Sequence, residues 1–152
     1  MNDGLYILCP LEIEAKAVLS LDAVDSTRVM ISGPGSAVIT SAEHAVAEGA
    51  RTLLLVGFAA GLVPTLDAPA VGEVVDEEGR FWRPTIRAGP GPVRLLGVDR
   101  IISTPRDKAS LAEQTGAALA DCESHHFAEF CASRQLDWGV VRAVSDGPAD
   151  AL

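Results

Sequence analysis

Short apolar runs alternate with segments of helical periodicity along the chain, and several of the runs end at glycine or proline. The intervening segments repeat apolar residues on one face, as amphipathic helices do. Apolar strands separated by helices are typical of a parallel sheet that is covered on both faces. The pattern therefore predicts an α/β fold, a single three-layer α/β/α domain over residues 1–152 with a mostly parallel central sheet. We predict strands at 5–9, 28–32, 52–56, 71–75, 93–102, 117–120 and 138–146, and helices at 11–21, 37–49, 105–115 and 124–134.

Local signals refine this outline. Thr104 is suited to cap the third helix, and Pro105 then takes its first position. Gly97 interrupts the strand predicted at 93–102. Residues 76–92 are rich in glycine, proline and arginine, which predicts a long loop or an irregular hairpin.

Composition excludes several classes of function. The net charge of -9 argues against nonspecific nucleic-acid binding, which needs a basic surface. No apolar run reaches membrane-spanning length, and no basic segment precedes the first apolar run, so we expect neither a membrane span nor a secretory signal. Three cysteines, an odd number, suit a reducing compartment, and we expect a cytoplasmic protein.

Carboxylates stand where strands end. Asp146 closes the last apolar run, and Glu123 follows the run at 117–120. Ligands of open α/β sheets bind at the carboxyl ends of the strands, so we expect these two acids to meet in one pocket. Glu14 lies in the first turn of the first helix, where it either complements the helix dipole on a solvated face or points into a cleft.

Glycines mark two other strand ends. Gly33 and Gly35 connect the second strand to its helix, a geometry that either binds an anion or is a plain tight turn. Ala59 and Gly61 lie in a stretch of small residues after the run at 52–56, where a ligand can approach the backbone closely.

Adjacent histidines raise the question of a metal. On a helix, Cys122 shares a face with His126, and His125 shares one with Glu129, spacings that can hold zinc. Each pair has only two ligands, and His44 is remote in sequence. We therefore predict no metal site, and expect a polar helix face, a subunit contact or a sugar contact instead.

Several motifs follow one another in a recognisable order. They are Cys9-Pro10-Leu11-Glu12-Ile13-Glu14, Ser32-Gly33-Pro34-Gly35-Ser36, Gly57-Phe58-Ala59-Ala60-Gly61-Leu62 followed by Val71-Gly72-Glu73-Val74-Val75, and the closing pair Asp121-Cys122-Glu123-Ser124 and Val141-Arg142-Ala143-Val144-Ser145-Asp146-Gly147-Pro148-Ala149-Asp150. In this order they resemble the nucleoside phosphorylase family, which includes purine nucleoside phosphorylases and methylthioadenosine/S-adenosylhomocysteine nucleosidases. The resemblance implies cleavage of the N-glycosidic bond of a purine nucleoside or a nucleoside-like metabolite, and a homo-oligomer.

The resemblance also implies roles for single residues. Asp146 would protonate or hydrogen-bond N7 of the purine, and Ser145 would orient it. Glu123 would bind the ribose hydroxyls, and Cys122 stands where the family usually has a methionine under the sugar. Glu14 matches the carboxylate that activates water. Ala59 and Gly61 complete the expected substrate-binding set.

The nucleophile stays open between water and phosphate. Gly33, Gly35 and Arg106 are the candidates for a phosphate or water site, with inorganic phosphate as the one co-substrate expected and no other cofactor. The loop after the first strand has no arginine, where many phosphorylases bind phosphate, and this favours hydrolysis. A shortened 76–92 segment, the absent final helix and the alanine pair 59–60 keep an alternative open, a non-catalytic nucleoside-binding or assembly protein.

Overall fold

Strands and helices alternate along residues 4–152, the part of the chain that this computed structural model describes, as the sequence predicts. The strands are β1 (Leu5–Cys9), β2 (Val29–Ile31), β3 (Thr52–Gly61), β4 (Val71–Asp76), β5 (Phe81–Trp82), β6 (Val93–Gly97), β7 (Leu119–Asp121) and β8 (Asp137–Asp146). The helices are α1 (Glu12–Leu19), α2 (Val38–Ala47), α3 (Pro105–Thr115) and α4 (Ser124–Ser133).

All these strands belong to one sheet in the order β2-β1-β3-β7-β6-β4-β5, and β8 also pairs with β3. Most pairings are parallel; the antiparallel ones are β3 with β7 and β4 with β5. Near its end β3 pairs with β8 at Ala59 and Val144 and with β7 at Ala60 and Ala120. Residues near the ends of these three strands therefore lie side by side, and this is where the functional residues are expected.

Helices cover both faces of the sheet. On one face α2 and α4 pack against a core that contains Leu8 and Leu95. On the other face α1 packs against Cys9, and α3 packs against Leu96, the strand neighbours of those two leucines. Successive strand residues point to opposite faces, so the near-continuous apolar runs serve two cores. The predicted α/β fold with a mostly parallel sheet flanked by helices is confirmed.

Some predicted boundaries were wrong. β3 does not end at residue 56 but continues to Gly61, because β8 pairs with it through Gly57, Phe58 and Ala59. The strand predicted at 93–102 ends at Gly97. The segment 76–92, predicted as a long loop or an irregular hairpin, contains a short strand, β5, that pairs antiparallel with β4 and so agrees with the hairpin. The small residues after Val56 predict the end of the strand, whereas they lie within it.

The capping signals of α3 were read correctly. The side chain of Thr104 accepts a hydrogen bond from the amide of Asp107 at 3.1 Å, and Pro105 is the first helical residue. Gly116 ends the helix in the left-handed conformation. Within residues 4–152, no helix has both the length and the apolar composition to cross a membrane.

Candidate active site

A cavity of about 320 Å³ lies where the ends of β3, β7 and β8 meet. This volume is at the lower end of the range for small-molecule sites, roughly 300–1,000 Å³. Four residues predicted from the sequence line it: Ala59, Cys122, Glu123 and Ser145. Apolar residues such as Leu11 and Phe58 complete the wall, together with residues of the loop that follows β6.

Arg142 is a buried cation that pairs with the carboxylates beside this cavity. Its side chain is fully buried; Nε donates to Oδ2 of Asp121 at 2.9 Å, and NH2 donates to Oε1 of Glu123 at 3.2 Å. Asp121 also accepts hydrogen bonds from the amide and the hydroxyl of Ser124 at the start of α4. A strand run that is otherwise apolar therefore places one cation under two carboxylates.

Glu14 is the third carboxylate of this group. It is 5% exposed, and its two oxygens accept hydrogen bonds from the amides of Leu11 and Phe58, both at 2.6 Å. Oε2 lies 3.8 Å from NH1 of Arg142. Of the two sequence interpretations of Glu14, the solvated face is therefore wrong for this residue and describes Glu12, whose carboxylate pairs on the surface with Lys16.

One donor of the cluster is left over. NH1 of Arg142 is buried and has no hydrogen-bond partner among the described residues. Gly57 makes this arrangement possible, because a Cβ there would lie 2.0 Å from Oε2 of Glu14 and 2.3 Å from NH1. We name Arg142, Glu14, Asp121 and Glu123 the Arg142 cluster. It holds three carboxylates for one guanidinium.

Glu123 is held between this cluster and the glycine turn. Its Oε2 accepts a hydrogen bond from the amide of Gly35 at 2.9 Å. Burial, and then the negative charge of Asp121, raise the pKa of Glu123 above its ordinary value. The turn that contains Gly33 and Gly35, both with positive φ, thus offers the Gly35 amide to an acid of the protein itself. The sequence predicts a phosphate or water site at this turn and does not predict this hydrogen bond.

Asp146 has a different setting. Oδ1 accepts a hydrogen bond from the hydroxyl of Ser145 at 2.6 Å, and Oδ2 pairs with Nζ of Lys108, also at 2.6 Å. Asp146 lines a neighbouring cavity of about 310 Å³ rather than the one that Glu123 lines, and Ser145 lines both. The prediction that Asp146 and Glu123 line the same pocket is therefore corrected: Ser145 links the two.

The remaining predicted residues divide between the site and its surroundings. Ala59 lies in the wall, and its carbonyl is 3.2 Å from the hydroxyl of Ser145. Gly61 is buried beside the end of β8, where a Cβ would lie 3.2 Å from the carbonyl oxygen of Asp146. Arg106 is exposed on α3 and does not line this cavity. The arginine in the wall is Arg100, which pairs with Asp107 at 2.6 Å and with Glu77 at 3.5 Å.

Cys122 connects this cavity to an adjoining one of about 540 Å³, whose lining it shares with Arg100 and Ile101. The Sγ atom lies 3.4 Å from the carbonyl oxygen of Arg100. Burial and the nearby carboxylates raise the pKa of the Cys122 thiol to about 11. The side chain is therefore a neutral wall at neutral pH.

The two histidines acquire a third polar partner that sequence spacing missed. Nε2 of His125 and Nε2 of His126 lie 2.9 and 2.7 Å from the same oxygen of Asp99. Three candidate ligand atoms thus lie within 4.8 Å of one another. Asp99 follows the end of β6 and had no signal beyond its place after a strand. The prediction of no metal site stays a prediction.

Two functional candidates were missed, and both carried a signal. Arg142 is the one charged residue in the apolar run 138–144. Lys108 shares the inward face of α3 with Leu111, Ala112 and Thr115 at helical spacing. A charge in an apolar pattern predicts a buried partner, and here the partners are the acids of the site.

Solved structures match this fold over nearly the whole chain. Futalosine hydrolase of Helicobacter pylori matches with a TM-score of 0.81 and 16% identity, covering 98% of this chain and 87% of that one. The 5'-methylthioadenosine/S-adenosylhomocysteine nucleosidase of the same organism, in complex with a pyrrolidine compound, matches with a TM-score of 0.79 and 16% identity over 95% and 85% of the two chains. A nucleosidase of that designation from Borrelia burgdorferi, bound to adenine, matches with a TM-score of 0.78 and 10% identity over 97% and 88%.

Comparison by sequence adds no relative. No protein-family model matches the chain, and no curated protein sequence does. The structural matches establish the fold of this protein, which is the fold of those nucleosidases and of futalosine hydrolase.

Proposed function

We propose that this protein hydrolyses the N-glycosidic bond of a purine nucleoside or a nucleoside-like metabolite. The observation that carries the proposal is the arrangement of charge around one cavity. The Arg142 cluster, with its surplus of carboxylates, borders this cavity through Asp121 and Glu123, and Asp146, in the neighbouring cavity, is linked to it through Ser145. The reaction needs negative charge near the sugar and a proton near the base, and we assign one of these needs to each group.

The sugar side of the reaction needs negative charge. As the bond between the anomeric carbon and the base nitrogen breaks, positive charge develops on the sugar. Glu123 and Asp121 line the cavity, and Glu14 lies behind them, with a single guanidinium among the three acids. Fixed carboxylates in a site with little water stabilise such a transition state strongly.

The base side needs a proton. The electron pair of the broken bond moves to the base, whose ring nitrogen then takes a proton. We assign this proton to a relay: Asp146, protonated from solvent before each turnover, donates from Oδ1 to the hydroxyl oxygen of Ser145, whose own hydrogen passes to the base, so that the hydrogen bond between Oδ1 and Ser145 runs in the reverse direction at this step. Lys108 faces the carboxylate that remains after donation.

Water suits the site better than phosphate as the nucleophile. Each arginine near the cavity is already paired with carboxylates, Arg100 with Asp107 and Glu77, and Arg142 with its cluster. A phosphate dianion would meet the surplus of acids without a free cation. Water instead forms its bond to the anomeric carbon and gives its proton to Glu14, and NH1 of Arg142, which has no hydrogen-bond partner among the described residues, is a donor within the same cluster.

The matching structures support this choice. They are those of hydrolases and nucleosidases, and one of them is bound to adenine. Their fold is shared with this chain at low identity, so the proposal depends on the geometry of the cavity and takes from them only the reaction class.

The test is release of free base from a panel of purine nucleosides, including 5'-substituted ones, with and without phosphate. We expect release without phosphate, and we expect Asp146→Asn to lower kcat/KM on the order of 100-fold or more, the usual contribution of a general acid. Asp137→Asn, at the exposed start of β8, is the matched control. Absence of base from every nucleoside, or release only with phosphate, contradicts the proposal.

A second candidate is a nucleoside-binding protein without turnover. It is favoured by Glu14, because both carboxylate oxygens already accept hydrogen bonds from backbone amides and a structural role accounts for them. Calorimetric binding of adenine or a nucleoside with no product after long incubation would support this candidate over hydrolysis.

A further inference from the structure

Lys108 is the charged residue of the site region that the proposed reaction leaves unexplained. It lies in the first turn of α3 and is fully buried. Removing an ammonium from water is costly, and a cation in the first turn of a helix also opposes the helix dipole. A lysine in this position therefore needs strong compensation, and its partners show where that comes from.

The compensation comes from one acid and one turn. Nζ donates to Oδ2 of Asp146 at 2.6 Å, to the carbonyl oxygen of Gly147 at 2.7 Å and to that of Asp150 at 2.8 Å. An ammonium has three hydrogens, so every donor is used. The turn is closed further by the carboxylate of Asp150, which accepts the amide of Gly147 at 2.7 Å. Lys108 thus joins α3 to the residue that ends β8 and to the turn after it.

This arrangement determines which oxygen of Asp146 is available. Oδ2 is held by the buried ammonium, and Oδ1 is directed to the hydroxyl of Ser145. Ser145 lines the cavity that Glu123 lines. The carboxylate therefore has one oxygen toward the substrate side and one toward the protein interior.

We propose that Lys108 is a positioning residue for catalysis, which holds Asp146 so that Oδ1 and Ser145 face the leaving base. The role rests on the proposed function, because it assumes that Asp146 serves the base. A purely structural role would be to fasten the turn that contains Gly147 and Asp150. The two roles differ in their effect on kcat for protein that remains folded.

The experiment compares Lys108→Met and Lys108→Gln with the wild type on a nucleoside from which the wild type releases base. Lys16→Met is the matched control, since Lys16 is exposed and pairs only with Glu12 on the surface. Glutamine retains an amide that can donate to the two carbonyls, so Lys108→Gln carries the test if Lys108→Met does not fold. Unfolded fractions are measured by circular dichroism, and kcat is expressed per folded protein.

We expect both Lys108 variants to lose kcat on the order of 100-fold, with KM within about threefold of wild type, as for loss of an oriented general acid. Adding a small alkylammonium ion to Lys108→Ala should restore part of kcat, which a fastened turn alone would not predict. Unchanged kcat in folded Lys108→Gln, or an effect confined to KM or to thermal stability, overturns the role of Lys108. A wild type that releases no base from any nucleoside contradicts the proposed function instead.

Discussion

The Arg142 cluster and the Asp146–Lys108 pair are two buried ionic groups at the same end of the sheet, and they are balanced differently. In the cluster, three carboxylates surround one guanidinium whose NH1 has no hydrogen-bond partner in the described part of the chain. In the pair, one carboxylate meets one ammonium whose three donors are all used.

This difference in charge balance indicates which of the two groups is suited to stabilise a positive charge in the cavity. A complete pair is stable as it stands and fixes the geometry of its members. A cluster with excess negative charge is electrostatically incomplete, and in the proposed hydrolysis a developing cation in the cavity would complete it. Under that proposal, transition-state stabilisation belongs to the cluster and orientation belongs to the pair.

Arg142→Met should have the largest effect of any single substitution in the two groups. It leaves Glu14, Asp121 and Glu123 buried without their shared cation, and losing one partner of a buried ionic group costs about 3–5 kcal/mol. Urea unfolding at neutral pH measures the loss of unfolding free energy. Arg106→Met, at an exposed position on α3, should leave that free energy almost unchanged.

Urea unfolding of Lys108→Met tests whether the two groups are balanced differently. Only Asp146 loses a charged partner in that variant, so the loss should be smaller than for Arg142→Met. Equal or greater destabilisation by Lys108→Met would show that the two groups are not balanced differently.

Gly57→Ala should disturb the cluster alone. The new Cβ would overlap Oε2 of Glu14 and NH1 of Arg142, so these side chains must move. The shape of the adjoining cavity would change with them. We expect a loss of about 1–3 kcal/mol of unfolding free energy, typical of overpacking, together with a large fall in base release. Denaturant titration and the nucleoside assay measure the two effects.

Gly72→Ala is its control, because the nearest atom to that Cβ is the side chain of Pro92 at 3.1 Å, outside the cluster. If Gly57→Ala releases base at the wild-type rate, Glu14 and Arg142 are not part of the reaction site as proposed.

Glu123→Gln should change how stability depends on pH, and this is the smallest of the effects. Because the pKa of Glu123 is raised in the folded chain, the proton it binds stabilises the fold fully below the ordinary value of 4.5, and this stabilisation is lost as pH rises through the raised value. Glutamine has no such proton. The unfolding free energy of the wild type should therefore fall relative to that of Glu123→Gln as pH rises from 4, by at most about 1.4 kcal/mol per pH unit.

Glu12→Gln serves as the control, since Glu12 is exposed and its surface pair contributes little. A wild type whose stability rises with pH relative to Glu123→Gln would mean that Arg142 outweighs burial and the charge of Asp121 at this carboxylate.

Much of the fold was readable in the chain because local signals and global packing agree. Thr104 and Pro105 start α3 as their chemistry requires, and the apolar run before Asp146 is the strand β8. The error at β3 has a physical cause. Gly57, Ala59 and Gly61 resemble the end of a strand, whereas pairing with β8 keeps them within one.

Some residues of the cavity could also be predicted from the sequence. Cys122, Glu123 and Ser145 line one cavity because the residues that end β7 and β8 both lie beside the last residues of β3. Asp146 was placed one cavity away, since its carboxylate turns toward Lys108. A residue in a strand is assigned to an edge by its sequence position, but its rotamer is chosen by its neighbours.

By itself, the sequence determined the alternation of elements and four of the residues that line the cavity, namely Ala59, Cys122, Glu123 and Ser145. These follow from the spacing of apolar residues and from turn chemistry, which act over a few positions of the chain. The tertiary structure alone decided that Arg142 lies under three carboxylates and that Lys108 holds Asp146, with Asp99 between two histidines. Those pairings join residues 20 to 130 positions apart, roughly, and Coulomb attraction acts between them only after the sheet has formed.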